Sequence, residues 1–192
     1  PKSKRMDVGG LLIPPTSLIT ALLYGFAHHT HAKAKEYYFW RVCDELWNHE
    51  DLPEKLMIKH PWAEEMIQCA IEHKYLAIGG SASSGKSHTM AAWGIVNWLS
   101  QPKDTLVLMT STTLRDSIGN AAYVDENQTL IERAGLSLIS AEKSKTREAV
   151  GKFIGIKQKR VILIGDELSE LSEAILQAGL TNLSKNPEFQ LI

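Results

Sequence analysis

Residues 80–87, with the sequence GSASSGKS, constrain the fold more than any other part of the chain. They follow a short apolar stretch, 75–78, and precede a stretch, 86–99, with the pattern of an amphipathic helix. A glycine- and serine-rich turn between a strand and a helix is typical of α/β domains, in which the two kinds of element alternate. We therefore expect an α/β fold with a mainly parallel sheet flanked by helices.

The same eight residues match G-x-x-x-x-G-K-[ST], the phosphate loop, at every fixed position. Small residues let the backbone curl so that successive N–H groups point at phosphate oxygens, and the following helix adds its positive dipole end. Lys86 is expected to reach the β- and γ-phosphates of a nucleotide, and the Ser87 hydroxyl to bind Mg²⁺. The predicted nucleotide-binding residues are Gly80, Ser81, Ala82, Ser83, Ser84, Gly85, Lys86, Ser87 and His88.

An acidic pair, Asp166 and Glu167, follows the apolar run 161–164 and Gly165. A phosphate-loop enzyme needs a carboxylate at the end of a buried strand to hold the magnesium hydration shell, and Asp166 has that position. Glu167 is placed to orient and deprotonate the attacking water. The alternative is mere surface polarity at a strand end, which the uniformly apolar run disfavours. With Lys86, these residues predict a Mg²⁺-dependent ATP hydrolase.

Asp166 lies 80 positions after Lys86, and a strand candidate, 105–110, lies in that interval. An extra strand between the loop strand and the acid strand, with a glutamate beside the acid, is the arrangement of motor-type ATPases rather than of GTPases or simple kinases. We therefore expect a P-loop fold of the additional-strand, catalytic-glutamate class, which points to mechanical work coupled to hydrolysis.

The other elements are predicted from hydrophobic periodicity and from turn residues. A helical, aromatic-rich segment, 1–60, is expected to precede the ATPase domain, 61–192. The predicted elements are a helix starting near Pro14, Pro15 and Thr16, a helix over 32–49, strands at 75–78 and 105–110, a mainly helical stretch to Ala134, a possible strand at 136–139, a strand at 161–164, a helix over 170–179 and a strand at 189–192.

Composition and charge limit the alternatives. Hydrophobic residues make up 44% of the 192 residues and charged residues 22%, which is ordinary for a globular protein and excludes a mostly disordered chain. The formal net charge is −1, so only a local patch could indicate nucleic-acid binding. One segment has seven basic residues against one acid, Glu148, and is either a solvated face or a DNA contact: Lys143, Lys145, Arg147, Lys152, Lys157, Lys159 and Arg160.

Several other features are given their simpler interpretation. Cys43 and Cys69 lack CxxC spacing, so no disulfide is expected. The apolar run 11–27 contains two prolines and is shorter than the roughly 20 residues that cross a bilayer. Trp62 and the bulky stripe of the helix over 32–49 are expected to pack in the core rather than stack on bases. His28, His29 and His31 predict a polar helix end rather than a metal site, since no further ligand has suitable spacing.

The chain resembles the ATPase domain of the large terminase subunit of tailed bacteriophages, the motor that packages DNA into a procapsid. The resemblance covers residues 62–192. It depends on GGSASSGKSHT at 79–89, LMTSTTLR at 108–115, GKFIGI at 151–156, the acidic pair at 166–167, and TNLSK at 181–185 leading to FQLI at 189–192. Both chain ends suggest a fragment, because the chain begins at Pro1 and stops inside an apolar run.

The resemblance implies ATP and Mg²⁺ as cofactors, double-stranded DNA as the substrate that is moved, and action in the host cytoplasm with no membrane. It also implies a homo-oligomeric ring on a portal protein, a small terminase subunit as partner, and a separate nuclease domain that is not part of these residues. Thr112, Thr113 and Arg115 follow a strand where related motors contact the DNA backbone.

The phosphate loop of this chain differs from the family's pattern at one point. Many terminases have an arginine early in this loop, whereas positions 81–83 are Ser, Ala and Ser here. A charge-neutralising arginine must come from elsewhere, and the candidates are Arg115, Arg133, Arg147 and Arg160.

Three other functions remain open. A helicase-like translocase would carry its further motifs beyond Ile192. A small-molecule kinase would not need Glu167 to activate water, and a non-catalytic scaffold would be expected to lack Lys86, Asp166 or Glu167.

Overall fold

In the computed structural model, the described residues are 6–8, 11–13, 17–50, 52, 54–111, 121–124, 130–140, 150–151, 153–154, 156–166 and 173–192. The chain divides into two compact units. The first comprises residues 1–73 and 78–101, and the second comprises residues 74–77 and 102–192. The predicted boundary between domains, after residue 60, stays a prediction.

The first unit is mainly helical. Its helices are α1 (Leu18–His28), α2 (Ala32–Trp47), α3 (Pro61–Glu72) and α4 (Lys86–Ser100). Two short antiparallel strands, β1 (Met6–Val8) and β2 (Leu11–Ile13), precede them, so the predicted helical character of residues 1–60 does not hold for these strands. The predicted helix start at 14–16 lies outside the described residues, and α1 follows Ser17 as its N-cap residue.

Three aromatic rings from three helices form the core of this unit. Phe26 of α1 and Phe39 of α2 lie 5.7 and 5.8 Å from the ring of Trp93 of α4, measured between centroids. All three side chains are buried. The predicted packing of the bulky residues of α2 in the core is confirmed for Trp40 and Val42, which are buried. It is wrong for Tyr37, which is 59% exposed because it lies on the side of the helix away from the buried residues.

The second unit contains a five-stranded sheet in the order β4-β5-β3-β6-β7. The strands are β3 (Thr105–Ser111), β4 (Ala121–Val124), β5 (Leu130–Ser140), β6 (Arg160–Gly165) and β7 (Glu188–Leu191), with helix α5 (Glu173–Leu183) between β6 and β7 in the chain. β5, β3, β6 and β7 are parallel, and β4 is antiparallel to β5. The expected mixed α/β fold with a mainly parallel sheet and flanking helices is confirmed.

The mainly helical stretch predicted to reach Ala134 is wrong for the residues that the structure describes. β4 and the first half of β5 occupy it, and they pair as an antiparallel ladder. Polar residues between the two strands suggested helix, but pairing between strands is a tertiary effect that overrides local propensity. The remaining predicted strands and the helix before β7 are confirmed, and α5 ends at Leu183 instead of at the predicted residue 179.

The segment before the phosphate loop contributes one residue to the sheet. Tyr75 forms a parallel bridge with Leu191 of β7, and the Leu76 N–H donates to the Leu191 carbonyl at 2.9 Å. The predicted strand at 75–78 is thus reduced to a bridge. β7 lies between Tyr75 and β6, whereas β3 lies on the far side of β6. The strand between the loop segment and the acid strand is therefore β7, and the assignment of 105–110 to that place is wrong.

One face of the sheet packs on α5. Side chains alternate between faces along a strand, so every second residue of β5, β3, β6 and β7 points to the same side. Together with Phe153 and α5 they form a buried cluster, which includes Leu106, Leu108, Ile139, Val161, Leu163, Ile175, Leu183 and Phe189. This core fixes the carboxyl ends of β3 and β6 side by side.

Candidate functional site

The side chain of Lys86 folds back over the phosphate loop. Its ammonium donates to the Gly80 carbonyl at 2.9 Å, to the Ser81 carbonyl at 2.7 Å and to Ser84 Oγ at 3.2 Å. A lysine ammonium has three N–H donors, and the loop's own neutral oxygens accept all of them. An anionic phosphate oxygen is a stronger acceptor for an ammonium group than a neutral oxygen. The arrangement therefore holds a cation at the centre of the loop, where a phosphate could replace these acceptors.

Two residues of the loop have left-handed backbone conformations. Gly85, the N-cap residue of α4, has φ = 80°, and Ser83 has φ = 60°. A Cβ on Gly85 would meet no atom within 4 Å, so the backbone angle and not space favours glycine there. For serine, a positive φ is uncommon and costs energy. Such turns orient consecutive N–H groups to one side and form anion-binding concavities.

The helix that follows adds to this preference for anions. α4 begins at Lys86, and the Gly85 carbonyl accepts the first hydrogen bond of the helix, from the Thr89 N–H at 2.9 Å. The first N–H groups of a helix have no partner within it and form the positive end of its dipole. Residues 80–83 are exposed, so an anion from solvent has access to the loop. The predicted phosphate-binding residues of the loop thus lie together.

His88 makes a different contact from the one predicted. Its Nε2 lies 2.7 Å from the Leu56 carbonyl oxygen, which can only accept, so Nε2 carries the proton. The ring therefore anchors the segment before α3 to the start of α4. The predicted nucleotide contact of His88 would therefore come from its backbone N–H, in the first turn of α4.

Trp62 does not pack in the core, and that expectation is wrong. The side chain is 51% exposed, and one face of its ring stacks on His60, with the centroids 4.5 Å apart and the planes at 5°. Trp62 lies in the first turn of α3, after Pro61, and is not on the face of this helix that is buried. A contact between Trp62 and an adenine ring stays a prediction.

Asp166 lies at the carboxyl end of β6, as predicted. β6 is buried along 161–164, and the carboxylate-bearing residue follows it in a turn. The Asp166 N–H donates to the Thr110 carbonyl of β3 at 2.9 Å, and the Gly165 N–H donates to the Ile192 carbonyl at 2.7 Å. Neighbouring segments thus hold the backbone of this turn on both sides. Glu167, the predicted general base, lies outside the described residues.

Part of the positive charge of the basic residues within 143–160 is neutralised by an acidic residue. Arg160 Nε lies 3.2 Å from Glu188 Oε2, and Lys159 Nζ lies 3.6 Å from Glu188 Oε1. Only 11% of the Arg160 side chain is exposed. Arg160 begins β6 and Asp166 follows its end, a separation of about 20 Å at the usual rise of a strand. Arg160 therefore acts as a structural partner of Glu188 and cannot serve Asp166 of its own chain.

Most of the other predicted DNA-contacting residues are outside the part of the chain that the structure describes in side-chain detail. They are Thr112, Thr113, Arg115, Lys143, Lys145, Arg147 and Lys152, and the side chain of Arg133, a candidate for the charge-neutralising arginine, is also outside that part. Lys157 is described and exposed. The choice among Arg115, Arg133 and Arg147 as a charge-neutralising arginine stays open.

The histidines near the end of α1 contact aromatic rings. His28 is the last residue of α1, and its Nδ1 lies 2.9 Å from the Tyr24 carbonyl, while His29 stacks on Tyr38. Across the residues whose side chains are described, no three His, Cys, Asp or Glu side chains are grouped as metal ligands.

The state of the cysteines and the apolar length of the helices can also be described. Cys43 and Cys69 are free thiols, and burial raises the pKa of Cys43 well above its usual range, so this thiol stays protonated. None of the described helices is long and apolar enough to cross a membrane.

Comparison of the chain with protein-family models, with curated proteins and with solved structures gives no match in any of the three.

Proposed function

We propose that the chain binds ATP with Mg²⁺ and hydrolyses it, as a P-loop ATPase of the additional-strand, catalytic-glutamate class. The observation that carries the proposal is the folded phosphate loop, in which the Lys86 ammonium is surrounded by loop oxygens at the start of α4. A lysine held in this way, beside backbone N–H groups at a helix start, is suited to a chain of phosphates.

The order of the sheet supports this class. A strand between the loop segment and the acid strand characterises motor-type ATPases, and β7 lies between Tyr75 and β6. Asp166 follows β6 at the carboxyl end of a parallel sheet, which is where open α/β sheets bind their ligands.

Each residue has a separate task in the proposed reaction. Lys86 neutralises charge on the β- and γ-phosphates, and it exchanges its neutral acceptors for phosphate oxygens when a nucleotide binds. Ser87 and Asp166 hold Mg²⁺, directly or through its water molecules. Bound Mg²⁺ supplies positive charge that stabilises the transferred phosphoryl group. Glu167 orients the attacking water and accepts its proton.

We further propose that hydrolysis powers the movement of double-stranded DNA into a viral procapsid, as in the ATPase part of a large terminase subunit. This step depends on the sequence resemblance over residues 62–192. It includes a portal protein and a small terminase subunit as partners, and a ring of identical subunits that supplies the missing arginine. The alternative is another nucleic-acid-stimulated ATPase, such as a helicase-like translocase.

The test is ATP hydrolysis by the chain, measured without DNA, with double-stranded DNA, and with DNA plus portal protein. Glu167→Gln should abolish turnover while nucleotide binding survives, because the change removes the base but no phosphate contact. Glu173→Gln, at the exposed start of α5, is the matched control and should leave turnover unchanged.

The outcomes separate the candidates. Stimulation by DNA and by portal supports a packaging motor, and stimulation by nucleic acid alone supports a helicase-like translocase. Turnover that requires a small phosphate acceptor and ignores DNA would show a kinase instead. Nucleotide binding with no turnover in any mixture would contradict the assignment of Glu167 as a working base.

A further inference from the structure

Five aromatic rings lie near the junction of α1 and α2, within the first unit. The ring of Tyr24 stacks on His28, with the centroids 4.0 Å apart and the planes at 22°. His29, which follows α1, stacks on Tyr38 of α2 with the centroids 5.0 Å apart, and Tyr37 meets Tyr38 edge to face at 5.5 Å. We call these five side chains the ring surface.

The helix pair holds these rings in place. An ideal Cβ built on Gly25 would lie 2.5 Å from the Tyr38 ring, so this ring lies directly on the backbone of α1. His28 Nδ1 lies 2.9 Å from the Tyr24 carbonyl oxygen, which can only accept, so Nδ1 donates. A ligand that stacks on rings already held in this way loses little binding free energy to ordering them.

Two of the rings are widely open to solvent. Tyr24 is 65% exposed and Tyr37 is 59% exposed, and His28 and His29 are also exposed. The stacking partner of Tyr24 covers one face of its ring, and Tyr37 meets its neighbour edge to face, so each tyrosine retains ring area that a ligand can reach. Exposed clusters of large side chains commonly mark interaction sites.

The charge beside the ring surface favours an anionic partner. Residues 17–35 contain two lysines and no Asp or Glu, and Glu36 is the first acid after them. Lys33 is exposed and lies four residues before Tyr37, on the same face of α2. The next two acids of α2 lie within 4.0 Å of Arg41, which offsets their charge. An exposed lysine beside an open ring suits a polymer that carries both phosphates and bases.

We propose that the ring surface binds single-stranded nucleic acid, with unpaired bases stacked on Tyr24 and Tyr37 and a phosphate beside Lys33. Every base has a π-face, so such stacking tolerates any sequence. Bases within a duplex are stacked on one another, so a single strand fits this surface and a duplex does not. The inference uses residues of the first unit alone and does not depend on ATP hydrolysis.

A protein is the competing occupant, because tyrosines are also enriched in protein interfaces. The absence of acids along α1 and the start of α2, together with the position of Lys33, favours the polyanion. The experiment therefore measures binding of a strand and self-association of the chain in the same samples.

The wild-type chain is titrated into a fluorescein-labelled oligothymidylate of about 12 nucleotides, a length within the usual site size for single strands, and anisotropy gives the Kd. Tyr24→Leu and Tyr37→Leu remove a ring but keep an apolar side chain, and each should raise the Kd about fivefold or more. Tyr37→Phe keeps the ring and should bind like the wild type. Leu18→Ala removes an exposed apolar side chain at the other end of α1 and should have no effect.

The salt dependence tests the phosphate contact separately. Lys33→Gln should reduce the slope of log Kd against log salt concentration by about 0.7, the value for one phosphate of a single strand. Lys185→Gln, at an exposed lysine of the second unit, should leave the slope unchanged. Because the substituted side chains are exposed, all variants should keep the wild-type thermal midpoint, which is measured for each.

Three results would overturn the inference. The first is a wild-type chain that does not bind the strand, and the second is equal affinity in the wild type and both leucine variants. The third is self-association that Tyr37→Leu abolishes while the strand does not bind, which would show an interface between copies. The Kd for a non-hydrolysable ATP analogue should be the same in all these proteins. A chain that binds the strand but not the analogue would remove the proposed function alone.

Discussion

At the scale of single residues, the hydrogen bonds of the Lys86 side chain are the strongest indication of anion binding. Its ammonium is held by three oxygens of the loop that it closes, and all of them belong to residues 80–84. Because these oxygens are neutral, the positive charge is left uncompensated among these contacts. The ammonium group can therefore exchange these contacts for an anion.

Lys86→Ala should weaken binding of Mg²⁺–ATP about tenfold to a hundredfold, the value of one or two charge-assisted hydrogen bonds. The free energy of unfolding should change by no more than about 1 kcal/mol, since the exposed loop can bond to water instead. Isothermal titration and urea unfolding measure the two effects. Lys33→Ala, an exposed lysine on α2, should change neither, and equal affinity in both variants would contradict the role of Lys86.

The sequence predicts local structure best where the residues that form it are neighbours in the chain. The loop 80–87 folds as predicted because its glycines, its lysine and the helix start are neighbours in the chain. Trp62 could not be assigned in the same way, because its exposure depends on which face α3 buries.

At the scale of elements, the contact between α5 and the sheet is unusually close at one point. A Cβ built on Gly179 would lie 2.8 Å from Cδ2 of Leu163, which is buried in β6. Glycine within a helix normally costs about 1 kcal/mol relative to alanine. Here the missing Cβ allows α5 to pack against the sheet, so close approach opposes the intrinsic preference for alanine.

Gly179→Ala should destabilise the protein, because overpacking costs about 1–3 kcal/mol and outweighs the gain in helix propensity. Gly151→Ala is the matched change, since this helical glycine is exposed and its Cβ would meet no atom within 4 Å. That variant should gain up to about 1 kcal/mol. Chemical denaturation of both measures the difference, and a stabilised Gly179→Ala would show that Leu163 moves aside without cost.

Elements with strong apolar runs were predictable, and elements made by pairing were not. β6 reads as a strand because 161–164 are buried on both faces of a parallel sheet, which requires apolar residues at every position. β4 and the start of β5 have no such run and exist because they pair with each other. The position of β7 between Tyr75 and β6 was also beyond the sequence, since strand order in a sheet is not fixed by order in the chain.

At the scale of the whole molecule, the candidate residues are divided between the two compact units. The phosphate loop and α4 belong to the first unit, and Asp166 belongs to the second. The chain passes between the units at 73–74, at 77–78 and at 101–102. The proposed function assigns roles to residues of each unit, so ligand binding should protect backbone amides in each.

Hydrogen exchange tests this requirement directly. With Mg²⁺ and a non-hydrolysable ATP analogue, exchange should slow in the first turn of α4 and also at Gly165 and Asp166, whose N–H groups are bonded to Ile192 and Thr110. A ligand that binds only the folded state stabilises every segment that must be folded for binding. Asp166→Asn should weaken Mg²⁺-dependent binding. It should reduce the added protection more at Gly165 than in the first turn of α4.

The control for this change is Asp104→Asn, an exposed aspartate just before β3, at the end of the strands opposite to Asp166. It alters charge by the same amount in the same unit and should leave both sets of protected amides unchanged. Protection confined to the loop and α4, with Asp166→Asn indistinguishable from Asp104→Asn, would show a phosphate-binding loop that works without the second unit. Protection at both sets of amides that depends on Mg²⁺ and on Asp166 would support the roles that the proposed function assigns to the phosphate loop and to Asp166.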